Sequence, residues 1–565
     1  MHIPTIHQWQ KLPSVLNKKE RYFIIGFLVL IIISLFGWMI SYKLKTTSIA
    51  PDFGGSFTEG IVGNPQYINP VLSQASDADR DLTELIFSGL TKYNSKGEIV
   101  PNLAKEYKIG DNGKIYEFTL RQDIKWHDGE QFTADDVIFT INRIQNPDFR
   151  SPLRISWTGV EIEKIDDYKI RFKMKNAYAP FLSNTTVGII AKHIWEKIQP
   201  ANFSLVTENL EPIGTGPYKL TTLKKDKNGF IYYIKLQAFG DYGSGRRPFI
   251  EKIYLKFYAD EKAAIKAYNR GEIDNLSLVS VQNQSIIKGE SRSNIKELSL
   301  PRYFTVFFNQ SKSTILSDKT VRLALNYATN KKQIIQEILN NEGKQVDSPI
   351  PDGVWGHADD LKIYDFAQEH ANNILEAAGW KDEDNDGIRE KKEEKLEFEL
   401  ITTDFKELQQ TANILQEQWS KIGARVNIKI LNIGEIQQEY IRPREYQALL
   451  FGEVLGLDPD PFSFWHSSQK KDPGLNLALY DSAKVDALLR DARQIIEPDL
   501  RLKKYKEFQQ LVIDDAPVVF LYGWYQIYYT SKKIQGFENQ NIVLPSKRFN
   551  DIEKWYIDTQ RIKKP

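Results

Sequence analysis

The 565 residues include no cysteine. That absence excludes disulfides, thiol nucleophiles, iron–sulfur clusters and thiolate zinc sites, and it removes the residue on which a bacterial lipid anchor is built. Histidine is scarce. There are seven, of which His2 and His7 lie in the N-terminal segment and His127, His193, His357, His370 and His466 are dispersed. No GxSxG, HExxH, Walker A or dinucleotide fingerprint occurs. An excess of one charge is missing too: 75 basic residues stand against 74 acidic, a net charge of +1. Phosphate backbones are bound by a basic excess or stripe, so nucleic acid is not a partner the composition announces. No repeat of fixed period and no low-complexity tract is present.

Long apolar runs are also missing, with one exception. Tyr22 to Tyr42 reads YFIIGFLVLIIISLFGWMISY without a charge. As a helix it is roughly 30 Å long, the thickness of bilayer hydrocarbon. Signal-peptide apolar regions are shorter, about 7–15 residues, so a retained signal anchor is the expectation. Ser48-Ile49-Ala50 keeps open the alternative of a cleaved signal peptide. Lys18, Lys19 and Arg21 precede the segment and Lys43 and Lys45 follow it. The positive-inside tendency then makes 1–21 a cytoplasmic tail, 22–42 a transmembrane anchor and 43–56 a polar tether. The bulk of the chain lies on the extracytoplasmic side of the cell membrane, with Trp38 and Tyr42 at the outer interface.

What remains is long enough for several cores, since domains of roughly 100–200 residues are usual. The 11 Trp, 27 Tyr and 30 Phe of the full chain suit adaptable ligand surfaces as well as cores. Residues 396–402 alternate as a strand, 405–422 carry Leu408, Ala412, Leu415, Trp419 and Ile422 on one helical face, and 425–431 alternate again. Strand, helix and strand with short joins predict a βαβ unit with parallel strands. Further helices are predicted at 365–378, 482–496 and 499–514, and an aromatic strand follows Pro517. The class is mixed α/β.

One stretch invites a catalytic reading. IKWHDGEQFTADDV (124–137) holds His127, Asp128, Asp135 and Asp136. Neighbours on a strand point to opposite faces, so His127 and Asp128 are poorly placed as a base and its orienter. Thr133 to Asp136 resembles a capping box, and acids in a first helical turn are favoured by the helix dipole. Each acid has a structural reason.

The same stretch carries a resemblance. LRQDIKWHDGEQFTADDVIFTINRI resembles the signature of the family 5 extracellular solute-binding proteins, the peptide and nickel receptors of ABC importers. NPQYINP, DLTELIFSGLTKYNSKGEIVPNLAKEY, EPIGTGPYKL, FFNQSKSTILSDKTVRLALNYATNKKQI, DPDPFSFWHSS and LYGWY follow in the family's order, so the likeness covers nearly all of 53–560. It implies a two-lobed, three-domain type II periplasmic-binding-protein fold behind a single N-terminal transmembrane helix. Lobe I comprises 57–88, 195–300 and 525–565, its smaller accessory domain 89–194, and lobe II 301–524. It further implies capture of peptides in the interlobe cleft and delivery to an ABC permease with its ATPase. Under it the HDG stretch is scaffold and the glycines of GTGPY serve a tight turn. Metal-chelate, haem or oligosaccharide receptors of the same family are the alternative, and an anchored extracellular hydrolase is a more distant one. No cofactor is required and no catalytic residue is expected.

Peptide-binding members hold the ligand backbone like an added strand. The matching positions are Ser76, Asp77 and Ala78 in one lobe and Phe451, Gly452, Glu453 and Val454 in the other, close to Asp458. Relatives place an aspartate for the peptide ammonium where this sequence has Leu455. Glu453 is the nearby candidate for that charge. Trp465 and His466 are candidates for the cleft wall, and Tyr303, Trp524 and Tyr525 border the expected lobe crossings. A separate stretch, Asp382 to Glu393, matches a calcium loop, with Asp382, Asp384, Asp386 and Glu393 as ligands of a structural Ca2+. The strand that follows it is not the second helix of an EF-hand, so a solvated acidic turn is the other reading.

Overall fold

The apolar run forms the core of a single helix, α1 (Lys18–Thr46), capped by Asn17, whose side chain accepts the Glu20 N–H at 3.0 Å. None of its residues is buried by the rest of the chain, and it is the one helix among the described residues long and apolar enough to cross a membrane. The computed structural model describes residues 5, 16–243, 247–277, 279–288 and 290–564. Most of the expected cytoplasmic tail, with His2 and His7, lies outside them.

The segment expected as a polar tether is ordered instead. Residues 43–46 complete α1. Strand β1 (Thr47–Pro51) then pairs antiparallel with the C-terminal strand, and β2 (Gly54–Val62) begins at once. The partner strand comes from the other end of the chain, which local composition cannot reveal. The next elements in chain order are α2 (Asp77–Ile86), β3 (Ala104–Gly110), β4 (Ile115–Leu120), α3 (Ala134–Gln145), β5 (Val160–Asp166) and β6 (Lys169–Met174). Strands β3 to β6 make a four-stranded sheet of order β3-β4-β6-β5. They are followed by β7 (Tyr218–Lys225), β8 (Ile231–Ala238), β9 (Ile250–Tyr258), α4 (Glu261–Asn269), β10 (Asn275–Ser277) and β11 (Ser293–Ser299).

The second half holds β12 (Arg302–Phe308), α5 (Lys319–Tyr327), α6 (Lys331–Leu339), β13 (Gly343–Gln345) and α7 (Gln368–Ala377). The predicted βαβ unit is β14 (Glu397–Thr403), α8 (Lys406–Ser420) and β15 (Arg425–Leu431), with β14 and β15 parallel in register from Glu397↔Arg425 to Thr403↔Leu431. Then come β16 (Ala448–Val454), α9 (Ala483–Gln494), α10 (Pro498–Asp515), β17 (Val518–Ser531) and β18 (Thr559–Lys563).

A 12-stranded sheet runs β15-β14-β16-β12-β17-β10-β2-β9-β8-β7, with β11 and β13 also on β17. The 14-residue β17 is its spine. Its first part pairs with β12 and β13, and its last part, from Tyr525 on, pairs with β11 and β10. The buried apolar residues divide at the same point. The first core and a small satellite draw on residues 57–300 and 527–555. The second and third cores, one on each face of β12 and β16, draw only on residues 303–522. The chain passes between the two parts at Leu300–Arg302 and again along β17 near Gly523.

Candidate ligand-binding cleft

The histidine of the HDG stretch is a strut. His127 Nδ1 accepts the Gly214 N–H at 3.3 Å, and Nε2 lies 3.0 Å from the Gly216 carbonyl, to which it donates. Those partners select the neutral Nε2–H form, and burial pushes the imidazole down to about 4. Asp128 pairs instead with His193 at 2.9 Å, Asp135 with Lys164 at 2.8 Å, and Asp136 reaches back to the Thr133 N–H at 3.0 Å as the capping box predicts. The glycines of GTGPY are needed for a different reason from the expected tight turn. A Cβ on Gly214 or Gly216 would lie 1.9 or 2.4 Å from the Ile86 backbone, whose carbonyl accepts the Gly216 N–H at 2.7 Å. They let this loop close against the C-terminus of α2.

The other end of α2 faces the second part of the chain. Ser76 caps the helix, its hydroxyl accepting the Asp79 N–H at 3.4 Å. Asp77 pairs with Arg80 at 2.5 Å, and Ala78 is buried in the first core. The helix is fixed from beneath by a fully buried network. Arg548 reaches Asp81 at 2.6 Å and Glu59 at 3.0 Å, and Tyr528 donates to Glu59 at 2.8 Å. A cavity of about 250 Å³ is lined by Ser73, Gln74, Arg80 and Lys547 from the first part and by Gly456 from the second.

Strand alternation sorts the candidates at 451–454. Phe451 and Glu453 point, with Tyr303 and Trp465, into the third core, where Tyr303 and Trp465 are 0% and 1% exposed. Gly452 and Val454 point to the opposite face, and Val454 is 58% exposed there, directly across from Arg302. Glu453 is 4% exposed, and burial raises its carboxyl to about 8 against the Tyr303 hydroxyl and Trp465 indole, which draw it down. A carboxyl that is neutral at pH 7 and faces the core is not a counter-charge for a ligand ammonium. Trp465 and Tyr303 likewise serve the core and not a cleft wall. His466 stacks on Phe462, with centroids 4.0 Å apart.

The main chain of β16 is more informative than its side chains. Leu455 donates its N–H to Pro301 at 2.7 Å, so residues of that parity address β12. Gly452 and Val454 therefore direct their N–H and C=O groups to the opposite edge. Strand β14 pairs with that edge at Ala448 and Leu449, and its Thr402 hydroxyl donates to the Leu450 carbonyl at 3.0 Å. Beyond them no strand among the described residues pairs with it. The last half of β16 thus offers an open ladder beside the cavity.

Sequence reasoning missed several residues here. Arg302 stacks on Trp524, its guanidinium 4.8 Å from the ring, and Trp524 stacks on Phe304 with centroids 4.6 Å apart. A second cavity, about 620 Å³, is lined by Tyr93, Tyr107 and Tyr116 from the first part and by Trp355, Asp458 and Arg501 from the second. Asp458 is held there by Arg501, one contact being 3.2 Å, while Arg501 stacks on Trp355 at 4.4 Å. The two parts touch directly beside it: Ala179 donates its N–H to Arg493 at 2.9 Å, and the Arg493 guanidinium lies 5.2 Å from the Tyr178 ring. Trp524 and Asp458 lie in motifs already singled out, but Arg302, Trp355, Arg493 and Arg501 belong to no local pattern, because each acquires its role from a partner far away in sequence.

The acidic loop is exposed. Asp382, Asp384 and Glu390 bring carboxylate oxygens within 4.8 Å of one another, a group that could hold a metal ion. Glu390, not Glu393, joins the two aspartates. Glu393 sits at a hairpin tip with φ of 69°, and Lys395 pairs with Asp384 at 3.0 Å and Asp386 at 2.5 Å. A cation would have to displace that ammonium.

Residues 98–474 match the family described as bacterial extracellular solute-binding proteins, family 5 Middle. The chain is 29% identical to the oligopeptide-binding protein AppA of Bacillus subtilis over 521 residues, 91% of this chain and 93% of AppA. The structure of AppA in complex with a nonapeptide superposes with a TM-score of 0.67, covering 90% of this chain and all of that one. NikZ of Campylobacter jejuni, solved with Ni(L-His), is 27% identical with a TM-score of 0.69, over 89% of this chain and 99% of NikZ. The ABC transporter substrate-binding protein CtaP of Listeria monocytogenes is 26% identical with a TM-score of 0.76, over 90% of this chain and all of CtaP. With the family model matching residues 98–474, more than half of its length, the chain belongs to family 5 of the bacterial extracellular solute-binding proteins.

Proposed function

We propose that this protein is an extracytoplasmic receptor that captures peptides between its two parts and delivers them to an ABC importer. The observation that carries the reading is the open edge of β16. A peptide laid along Gly452 and Val454 adds a strand, and main-chain hydrogen bonds give affinity without selecting a sequence. AppA, which is solved with a nonapeptide, supports the same reading. The Ni(L-His) complex of NikZ keeps a metal chelate as the alternative ligand.

In this reading the two parts are lobes I and II, and residues 300–302 and 523–525 are the crossings about which they close. Residues 89–194 form the accessory domain of lobe I. Ligand shifts the equilibrium toward closure by touching both lobes at once, because only differential affinity moves a conformational equilibrium. The site performs no bond chemistry. Helix α1 acts as a retained anchor that keeps the receptor beside its permease and raises its effective concentration there, while the ATPase supplies the energy.

The test is native followed by denaturing mass spectrometry of the full chain purified in detergent. A ladder of short peptide masses is expected. A single non-peptide mass overturns the ligand and leaves the receptor reading intact. The same spectrum reports whether residues 1–50 are retained, as an anchor requires.

A further inference from the structure

Arg302 stands out among the charged residues at the boundary between the two parts. It is half-buried at the first position of β12, where the chain crosses from one part to the other. No ion pair or hydrogen bond holds its side chain among the described residues, and its Nε is buried without a partner. Other arginines of this region are matched: Arg80 by Asp77, Arg493 by Asp460 at 2.8 Å, and Arg501 by Asp458. Arg302 has instead an aromatic platform. Trp524 lies beneath the guanidinium at 4.8 Å and is itself braced by Phe304. A stacked guanidinium keeps its edge N–H groups free and fixes their plane, the arrangement that suits bidentate capture of a carboxylate.

The surroundings define what can reach it. Val454, the last residue of the open ladder, lies directly opposite Arg302 and shares its face, so a chain added along that edge runs two strand spacings, roughly 10 Å, from the Arg302 backbone, with its own side chains on that face to span the interval. An acid whose charge is felt at Arg302 is Asp77 at the N-terminus of α2, which bonds Arg80. Its field acts on Arg302, but burial is the stronger influence and lowers the guanidinium to about 10. A desolvated cation without a contact partner is costly, and a ligand anion removes that cost.

Resting on the peptide reading above, we infer that Arg302, oriented by Trp524, receives a carboxylate of the bound ligand, and that the cleft selects peptides carrying an anionic group at this point. The carboxylate is either the peptide C-terminus or an Asp or Glu side chain. No sequence motif announces this role. It follows from a stacked, unpaired guanidinium placed across from the open end of β16.

Binding of defined peptides to the full chain in detergent, measured by calorimetry, tests it. The probes are tetra-alanine and its C-terminal amide, and the amidated pair Ala-Ala-Glu-Ala and Ala-Ala-Gln-Ala. In the wild type, loss of the carboxylate from one of these pairs weakens binding at least about tenfold, the scale of a charge-assisted hydrogen-bonded pair. The C-terminal pair or the side-chain pair is affected according to the source. Arg302→Gln binds both members of that pair equally, at the affinity of the uncharged probe, and Arg302→Lys keeps a reduced preference for the acid. Equal binding within both pairs in the wild type overturns the inference and leaves peptide capture standing. Discrimination that persists in Arg302→Gln overturns it as well. Failure of the wild type to bind every probe overturns the peptide reading, and the inference falls with it.

Discussion

At the scale of single residues, the buried carboxyl of Glu453 is a stability switch with a definite sign. Its folded pKa of about 8 lies above the ordinary 4.5, so between those values the folded state holds a proton that the unfolded state has released. Stability from this group is therefore full below pH 4.5 and falls as pH rises toward 8. Glu453→Gln keeps the shape and removes the titration. It should leave the melting temperature near that of the wild type at pH 5 and raise it at pH 8, with a differential on the order of 3 kcal/mol. A constant difference across that range, followed by thermal unfolding in matched buffers, would mean that the carboxyl is ionised in place. Arg548 shows the opposite logic. It neutralises two buried carboxylates at once, and Arg548→Met strands both, at a cost of about 3–5 kcal/mol. Adding Glu59→Gln and Asp81→Asn should recover part of that loss in chemical denaturation. No recovery would assign the cost to packing against Phe549, over whose ring the guanidinium lies at 4.1 Å.

At the scale of elements, the short sheet of β1 and β18 joins the end of α1 to the body. The pairing runs from Thr47↔Lys563 to Pro51↔Thr559, and it is extended by bonds from Lys564 N–H to Thr46 and from Asp52 N–H to Asp558, both 2.9 Å. Removal of residues 559–565 leaves every core intact. The amides of 47–51 should then exchange at least tenfold faster, with a melting temperature changed by less than about 2 °C. Unchanged exchange would show that β1 is ordered by something other than β18. This clasp also shows where reading the sequence stops. The βαβ unit of β14, α8 and β15 is legible because its periods are local and its joins are short. The capping box at Thr133 is legible because its two partners are three residues apart. The pairing of Ser48 with Ile562 leaves no local signature, and KLKTTSIAPDFGGS consequently reads as a loose tether. Residues 451–454 are marked by the resemblance alone, which puts core-facing Phe451 and Glu453 together with Gly452 and Val454; only the strand at 448–454 sorts them by face. Arg302 carries no motif at all; only the fold sets Trp524 beneath it.

At the scale of the whole molecule, the spine strand β17 makes the two parts separable in energy as well as in space. Each has its own core, and between those cores lie the crossings and a thin set of direct contacts. The balance between open and closed arrangements then rests on few groups, and a residue that never touches ligand can set the affinity. Arg493 is such a residue. It belongs to the second part, bonds Asp460 there at 2.8 Å, and meets the first part through the Tyr178 ring and the Ala179 N–H. Arg493→Ala removes the cation–π contact between the parts, worth about 0.5–2 kcal/mol, together with the Asp460 pair inside the second part, and leaves the backbone bond in place. Because that contact exists only when the parts meet, its loss lowers the population of the closed state and not the quality of the ligand site. The variant should therefore bind every peptide probe more weakly by one common factor, roughly 2- to 30-fold. Free and amidated peptides keep their ratio, and small-angle scattering of the ligand-free protein shifts toward the more open form. A loss confined to one class of peptide would instead put Arg493 in contact with ligand, and an unchanged affinity would show that closure does not depend on this face.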